Sequence, residues 1–351
     1  MAFSSHICVI GSLNIDFAVS TSRCPGPGET LTANSLSVAP GGKGANQAVA
    51  CGRASLAAEG QQDVAVTMIG AVGSNDTYYS TLIRPMLKDS GVNTEHIEER
   101  TDSTTGSATI IVEEAAGGEN RILVVPGANH TGMRDVQKIL TTLQQMPQSP
   151  ALVVLQGEIP KDTVVGLLEH FNKPDSTTHV LFNPAPVFPD GVPLSALIDT
   201  TVLVMNETEA AQMRASILGE SSSDTLSADD LRPEELAAQF HEVAKVKIVL
   251  ITLGAKGVFY STITGKQGMV DGVRVQKVVD TTAAGDTFVG YFAAAFARFV
   301  STSSLLAGFD DDIENAVQRA NCAAAICVQG QGAMQSIPRM MDVDSLQSHQ
   351  S

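Results

Sequence analysis

Six short apolar runs, alternating with helical patterns for most of the length, constrain this chain more than any other feature. They occupy residues 7–10, 64–69, 152–155, 180–182, 202–205 and 248–252, and each is flanked by Gly, Pro or polar residues. Runs this short and this uniformly apolar read as strands buried on both faces. The segments 45–58, 76–90, 133–145, 161–171, 207–218 and 234–244 carry helical patterns between them. Strand–helix alternation predicts an α/β fold: a doubly wound, mostly parallel sheet flanked by helices.

Two stretches break the alternation. Residues 17–38 have Pro and Gly punctuation and short β-like pieces. Residues 107–125 alternate (Thr109 and Ile111 against Ile110 and Val112), turn at Ala116-Gly117-Gly118 and return through 121–125, a hairpin signal. Together they predict a small β-sheet extending from the main body, with edge strands of the main sheet as the alternative. Residues 219–232, rich in Ser and Asp, read as a solvated surface insertion, and 59–63 as a short helix-to-strand connection. At 351 residues the chain is long enough for a large core, in one large domain or two small ones.

Composition narrows the chemistry. A formal charge of −16 gives no footprint for nucleic acid or an anionic membrane. A phosphorylated ligand would have to be met by helix N-termini and backbone N–H groups against that global charge. The cysteines, at 8, 24, 51, 322 and 327, are odd in number and form no C-x-x-C, so neither a disulfide framework nor a zinc knuckle is expected. The histidines are scattered, without H-E-x-x-H. Residues 1–5 show no leader pattern, and the apolar run 288–300 is short and broken by Arg298. The cytoplasm is therefore the default compartment, with the nucleus open.

The usual phosphate-binding signatures are missing: there is no G-x-x-x-x-G-K-[ST] and no G-x-G-x-x-G after the first strand, nor is there a G-x-S-x-G elbow. Three other motifs carry polar chemistry. Asp280-Thr281-Thr282-Ala283-Ala284-Gly285-Asp286 runs small residues into an apolar helix, so a phosphate can approach first-turn N–H groups beside a carboxylate. Asp286 could equally cap that helix. Gly41-Gly42-Lys43-Gly44-Ala45-Asn46 wraps a lysine in glycines before a helix, where Asn46 could be the cap. Asn14 and Asp16 follow the first strand, at the end of the sheet where open α/β folds bind ligands, and suit vicinal hydroxyls.

Taken together, these segments resemble the ribokinase-like carbohydrate kinase family, in order and spacing from about residue 7 to 338. The resemblance implies a single domain over 1–351 with a small β lid built from about 16–40 and 105–126. It implies an ATP-dependent kinase phosphorylating a sugar, ribose at O5 first, with Mg2+ and an activating K+, and a homodimer formed through the lid. Sugar contacts would come from Asn14, Asp16, Gly42, Lys43, Asn46 and Glu158. Asp286 would be the base, with Ala283, Ala284 and Gly285 as the anion hole. Asn206, Thr252, Gly254, Lys256, Gly257, Gly285 and Asn321 would meet the nucleotide, and Glu209 would organise magnesium through water. Asp280, Thr282, Cys327, Gly330, Gly332 and Ser336 would ring the potassium, although Gly330 stands where a larger residue is frequent and would loosen that loop.

Two alternatives stay open: a kinase of another sugar or a nucleoside, and a sugar-binding regulator without turnover. Asn14 argues against deoxyribose. The absence of an aromatic shelf beyond Phe17 argues against a nucleoside, and the set Lys43, Glu209 and Asp286 argues against a mere binder.

Overall fold

The computed structural model describes residues 5–56, 61–116, 119–219, 232–303 and 305–348. Apart from its two end residues the Ser/Asp-rich stretch 219–232 lies outside the described residues, as do residues 59–60 of the 59–63 connection. The strands are β1 (Ser5–Ile10), β2 (Asn14–Thr21), β3 (Ser35–Gly41), β4 (Val64–Gly73), β5 (Val92–Arg100), β6 (Gly106–Glu113), β7 (Glu119–Val125), β8 (Leu152–Leu155), β9 (His179–Phe182), β10 (Val202–Asn206), β11 (Ile248–Thr252), β12 (Gly257–Thr262) and β13 (Gln267–Asp271). The α-helices are α1 (Lys43–Ser55), α2 (Arg84–Asp89), α3 (Ala128–Thr131), α4 (Val136–Gln144), α5 (Lys161–Phe171), α6 (Leu194–Leu197), α7 (Glu207–Leu218), α8 (Pro233–Ala244), α9 (Ala284–Thr302), α10 (Ile313–Cys327) and α11 (Met340–Ser348).

Nine strands form one sheet in the order β13-β12-β11-β10-β9-β8-β1-β4-β5. Its pairs are parallel except those that β12 makes with β11 and β13. The six apolar runs are six of its strands, and burial on both faces is why. Along β1, Ile7 and Val9 enter the core under α1, α9 and α10, which contribute Ala48, Phe292 and Ala320. Cys8 and Ile10 enter the opposite core, where α5, α7 and α8 contribute Leu167, Met213 and Phe240. No helix of the described residues is long and apolar enough to cross a membrane.

Three departures from the sequence reading have a local physical cause. β5 alternates buried and exposed residues and carries Glu95, Glu98, Glu99 and Arg100, as an edge strand with one wet face does, so it shows no apolar run. The helix expected over 76–90 starts with a π turn at Tyr79–Ile83 before α2, where Pro85 has no N–H to continue an α ladder. The pattern 133–145 becomes α4 only at Val136, because the Asp135 side chain accepts the Lys138 N–H at 3.0 Å and caps the helix there.

The two irregular stretches form a separate four-stranded sheet, β3-β2-β6-β7, and not edges of the main one. The chain enters it directly from the carboxyl end of β1 through Gly11-Ser12-Leu13. Asp16, Ala108, Ile110, Ile122 and Val124 face one cavity, while Leu36, Leu123 and Val125 on the opposite face are exposed. Phe17, on that opposite face, packs edge-on against Tyr78, centroids 5.7 Å apart. β1 lies between β4 and β8, so chain order reverses beside it, and the small sheet stands over the crevice this opens.

Helices α1 and α9 pack backbone to backbone. A methyl on Gly290 of α9 would stand 2.3 Å from the Ala50 Cβ and 2.7 Å from the Cys51 nitrogen of α1. Gly290→Ala must therefore part the two helices, and overpacking of this kind costs about 1–3 kcal/mol. That outweighs the gain of about 1 kcal/mol from alanine's helix propensity. Urea unfolding should show a lower midpoint for the variant; an unchanged or higher midpoint would mean that this contact does not limit the packing.

Candidate active site

The site begins where β1 ends. Ser12 Oγ donates to Glu158 Oε2 at 2.5 Å and accepts the Gly44 N–H at 3.2 Å, and the Ser12 carbonyl accepts the Ala45 N–H at 2.9 Å. Glu158 Oε2 also accepts the Lys43 backbone N–H at 2.9 Å. Ser12 and Glu158 thus satisfy N–H groups that the first turn of α1 leaves without helical partners. Gly42 precedes the helix at φ 89°, where a Cβ would stand 2.8 Å from the Asn14 nitrogen, so the turn requires glycine. Asn46 lies in the helix proper and caps nothing.

Asp286, 5% exposed, sits in the first turn of α9 and makes no cap to its own helix. Its Oδ2 accepts from Asn46 Nδ2 and its Oδ1 from Gln47 Nε2, both at 2.9 Å. α9 is entered through Ala283 at φ 62°, whose carbonyl accepts both the N–H and the hydroxyl of Thr287 at 2.8 Å. The first turn of α9 leaves N–H groups without helical partners, and Gly285, which lines the cavity, has open space where a side chain would be.

The electrostatics are those of four carboxyl groups around one lysine. Burial, with Glu158 and Asp286 nearby, pushes the Asp16 carboxyl up to about 7. Asp286 holds the Lys43 ammonium above its ordinary value against its own burial, with Glu158 and Glu209 adding to the effect. Burial raises the Glu209 carboxyl. Glu209 also closes a capping box at α7: its Oε2 accepts the Asn206 N–H at 2.9 Å and its own N–H donates to Asn206 Oδ1 at 2.8 Å.

Of the residues singled out from the sequence, Asn14, Asp16, Gly42, Lys43, Asn46, Glu158, Asn206, Glu209, Thr252, Thr282, Ala283, Gly285 and Asp286 line one cavity of about 500 Å3. Ala284 donates its N–H to the Thr281 carbonyl at 3.3 Å. Gly254, Lys256 and Gly257 lie outside the lining, on the turn after β11, where Lys256 Nζ is 3.6 Å from Glu207. Asn321 is outside it as well, donating to the Asp271 carbonyl at 2.8 Å.

The remaining group comes together beneath α9. Asp280 Oδ1 accepts the Thr282 N–H at 2.9 Å and Oδ2 the Gly332 N–H at 3.0 Å. Burial opposes the charge on Asp280, but these hydrogen bonds outweigh it and lower the carboxyl below its ordinary value. Cys327 Sγ is 3.1 Å from Ser336 Oγ, which donates to the Gly332 carbonyl at 2.6 Å. At Gly330 a methyl would stand 2.8 Å from the Ser336 Cβ, so glycine lets the loop close there.

Sequence reasoning missed Gln47, Asn129, Gln156 and Asn183. Asn129 donates to Asn14 Oδ1 at 2.7 Å and grips both main-chain groups of Leu13. Gln47 was detectable as a polar side chain adjoining Asn46 on a helix of small residues. The other three reach the site only through the fold.

The model of the pfkB family of carbohydrate kinases matches residues 4–340. A ribokinase of Schizosaccharomyces pombe is 36% identical over 343 residues, covering 97% of this chain and 96% of that one. A deoxyribokinase of Salmonella typhi is 32% identical over 333 residues, covering 95% of both. The solved structure of an Arabidopsis thaliana ribokinase complexed with ribose and ATP is 28% identical, with a TM-score of 0.76 over 99% of both chains.

The position of Asp16 has a consequence for stability. Its folded value of about 7 exceeds an unfolded value of about 4. The folded protein therefore holds a proton that the unfolded chain has released, and the associated stability, complete below about pH 4, is lost as pH rises towards 7. Asp16→Asn keeps the neutral form at every pH. Its melting temperature relative to the parent should rise from pH 5 to about pH 7 and level off above that, and a difference independent of pH would contradict the assignment.

Proposed function

The chain belongs to the pfkB family of carbohydrate kinases, and from that premise we propose that it is an ATP-dependent ribokinase, transferring the γ-phosphoryl group to O5 of ribose. One observation carries the reading: a buried carboxylate at the N-terminus of α9, each oxygen held by an amide donor, beside Lys43 in the cavity under the small sheet. A general base needs this fixed aim, and a transferring phosphoryl group needs the adjacent N–H groups.

In this reading Asp286 takes the O5 proton as that oxygen attacks phosphorus, while the first-turn N–H groups at 283–285 meet the charge developing on the phosphoryl oxygens. Asn14, Asp16, Gly42, Lys43 and Asn46 hold the sugar, with Glu158 locking the turn that presents them. The buried Asn46 Oδ1 has no partner among the described residues and suits a sugar hydroxyl. Asn129 turns the Asn14 oxygen away, so Asn14 offers its NH2 group. Asn206, Thr252, Gly254, Lys256, Gly257 and Asn321 serve the nucleotide. The small sheet acts as a lid on a single catalytic domain, excluding water.

Glu209 fits a magnesium ion held through water, since its carboxylate lines the cavity and such sites use one or two carboxylates plus substrate phosphates. Magnesium would neutralise phosphate charge. The oxygen-rich turn of Asp280, Thr282, Cys327, Gly330, Gly332 and Ser336 suits potassium, which takes carbonyl oxygens readily. The exposed Leu36, Leu123 and Val125 of the lid suit pairing with a second copy. All five cysteines are free, as in a reducing cytoplasm. The deoxyribokinase among the relatives keeps deoxyribose as the second substrate to test.

Asp286→Asn should lower kcat by about 10²–10⁴-fold, with calorimetric ribose affinity within a few-fold of the parent and the melting temperature nearly unchanged. ADP release across ribose, deoxyribose, fructose and nucleosides should be fastest with ribose; a variant that keeps turnover, or a parent indifferent to ribose, sinks the reading. Glu209→Gln should raise the magnesium needed for half-maximal rate, and potassium should activate more than sodium or lithium. Superposable magnesium titrations, or equal rates in potassium and tetramethylammonium buffers, would remove those two sites. Sedimentation at micromolar concentration should give a dimer, and a fully active monomer would dismiss lid pairing. A membrane or secreted fraction holding the protein would count against a cytoplasmic enzyme.

A further inference from the structure

Gln47 is fully buried in α1 and is not part of the cavity wall. Its Nε2 donates to Asp286 Oδ1 at 2.9 Å and to Asn183 Oδ1 at 3.0 Å, and its Oε1 accepts from Gln156 Nε2 at 2.8 Å. A leucine would fill this position, among Ala45, Ala48 and Val49, without burying an amide.

The direction of each bond is fixed from the far ends of the chain of amides. The Val204 carbonyl of β10 can only accept, so Asn183 turns its Nδ2 to it, at 2.9 Å, and leaves its oxygen for Gln47. The Val154 carbonyl of β8 likewise takes Gln156 Nε2 at 3.4 Å, which presents the same NH2 group to Gln47 Oε1. With an acceptor on one side and a donor on the other, Gln47 has one orientation. Its NH2 group points at Asp286, whose other oxygen is held by Asn46. Lys43 supplies the compensating charge in this cluster, and the amides supply direction.

We infer that Gln47 is a positioning residue for phosphoryl transfer: anchored through Asn183 and Gln156 on main-chain carbonyls of two core strands, it fixes the Asp286 carboxylate so that its free lone pairs meet the acceptor hydroxyl. This rests on the reading of Asp286 as the base. A side chain with this role governs the chemical step and leaves sugar binding to the residues of the cavity wall.

Four variants and Asp286→Asn, made alongside, test it. Gln47→Leu removes the donor and should lower kcat by about 10²-fold, the scale of a misplaced reacting group, with ribose KM and calorimetric affinity within a few-fold. Gln47→Glu keeps the shape but sets an acid against Asp286, and should lower kcat in the same way; it decides the matter if Gln47→Leu does not fold. Gln156→Leu, outside the cavity wall and without contact to Asp286, should lower kcat only through Gln47, so Gln47→Leu/Gln156→Leu should be no slower than Gln47→Leu alone. If the Gln47 variants turn over at near the parental rate while Asp286→Asn is inactive, or if the two losses in kcat multiply in the double variant, the positioning role is wrong. If Asp286→Asn itself keeps its rate, the base assignment fails instead.

Discussion

The contact between the first turns of α1 and α9 is the constraint on which the rest of the site depends. Asp286 is buried, and a buried carboxylate persists only with partners that offset its lost hydration. Those partners, Asn46 and Gln47, sit on another helix some 240 positions earlier in the chain. The two helices must therefore approach closely and in one register. Gly290 allows the approach, and the shared core above β1, β8 and β10 fixes the register.

That convergence also reconciles an acidic cavity with an anionic reactant. Asp16 and Glu158 lie at the root of the small sheet and beside the turn into α1, and Lys43 lines the same cavity. The N-terminal end of α9 offers N–H groups on the other side. The protein's overall charge of −16 has little bearing on this division, because oriented N–H groups act at contact range while distant surface charges are screened.

What was legible in the sequence follows from how each feature is made. The six buried strands could be read because burial on both faces removes polar residues from a short run. β5 could not, since one wet face restores them, and neither could the π turn before α2, which rests on Pro85 breaking a hydrogen-bond ladder. The residues of 41–46 and 280–286 were legible because each group is contiguous, with glycine and small residues where the backbone must approach something. Asn129, Gln156 and Asn183 carry no such mark. Each is a lone amide at a strand end or in a short helix, and only packing against Leu13, Gln47 and Val204 gives it a role. The close fit at Gly330 was hidden for the same reason: the Ser336 side chain that fills its space lies six residues away and is set by the fold.

The amides around Asp286 show how a rigid scaffold gives direction to a charge. An amide can flip end for end at almost no steric cost, so a lone glutamine beside a carboxylate does not fix which atoms face which. Main-chain carbonyls cannot flip. Placing Asn183 against the Val204 carbonyl, and Gln156 against that of Val154, transfers the polarity of two strands in the middle of the sheet to a side chain beside the site. The strands themselves are held by parallel pairing and by cores on both faces, so the orientation is inherited from the most stable part of the molecule. None of the groups that set the aim of Asp286 belongs to the small sheet, so that aim is independent of the sheet above it.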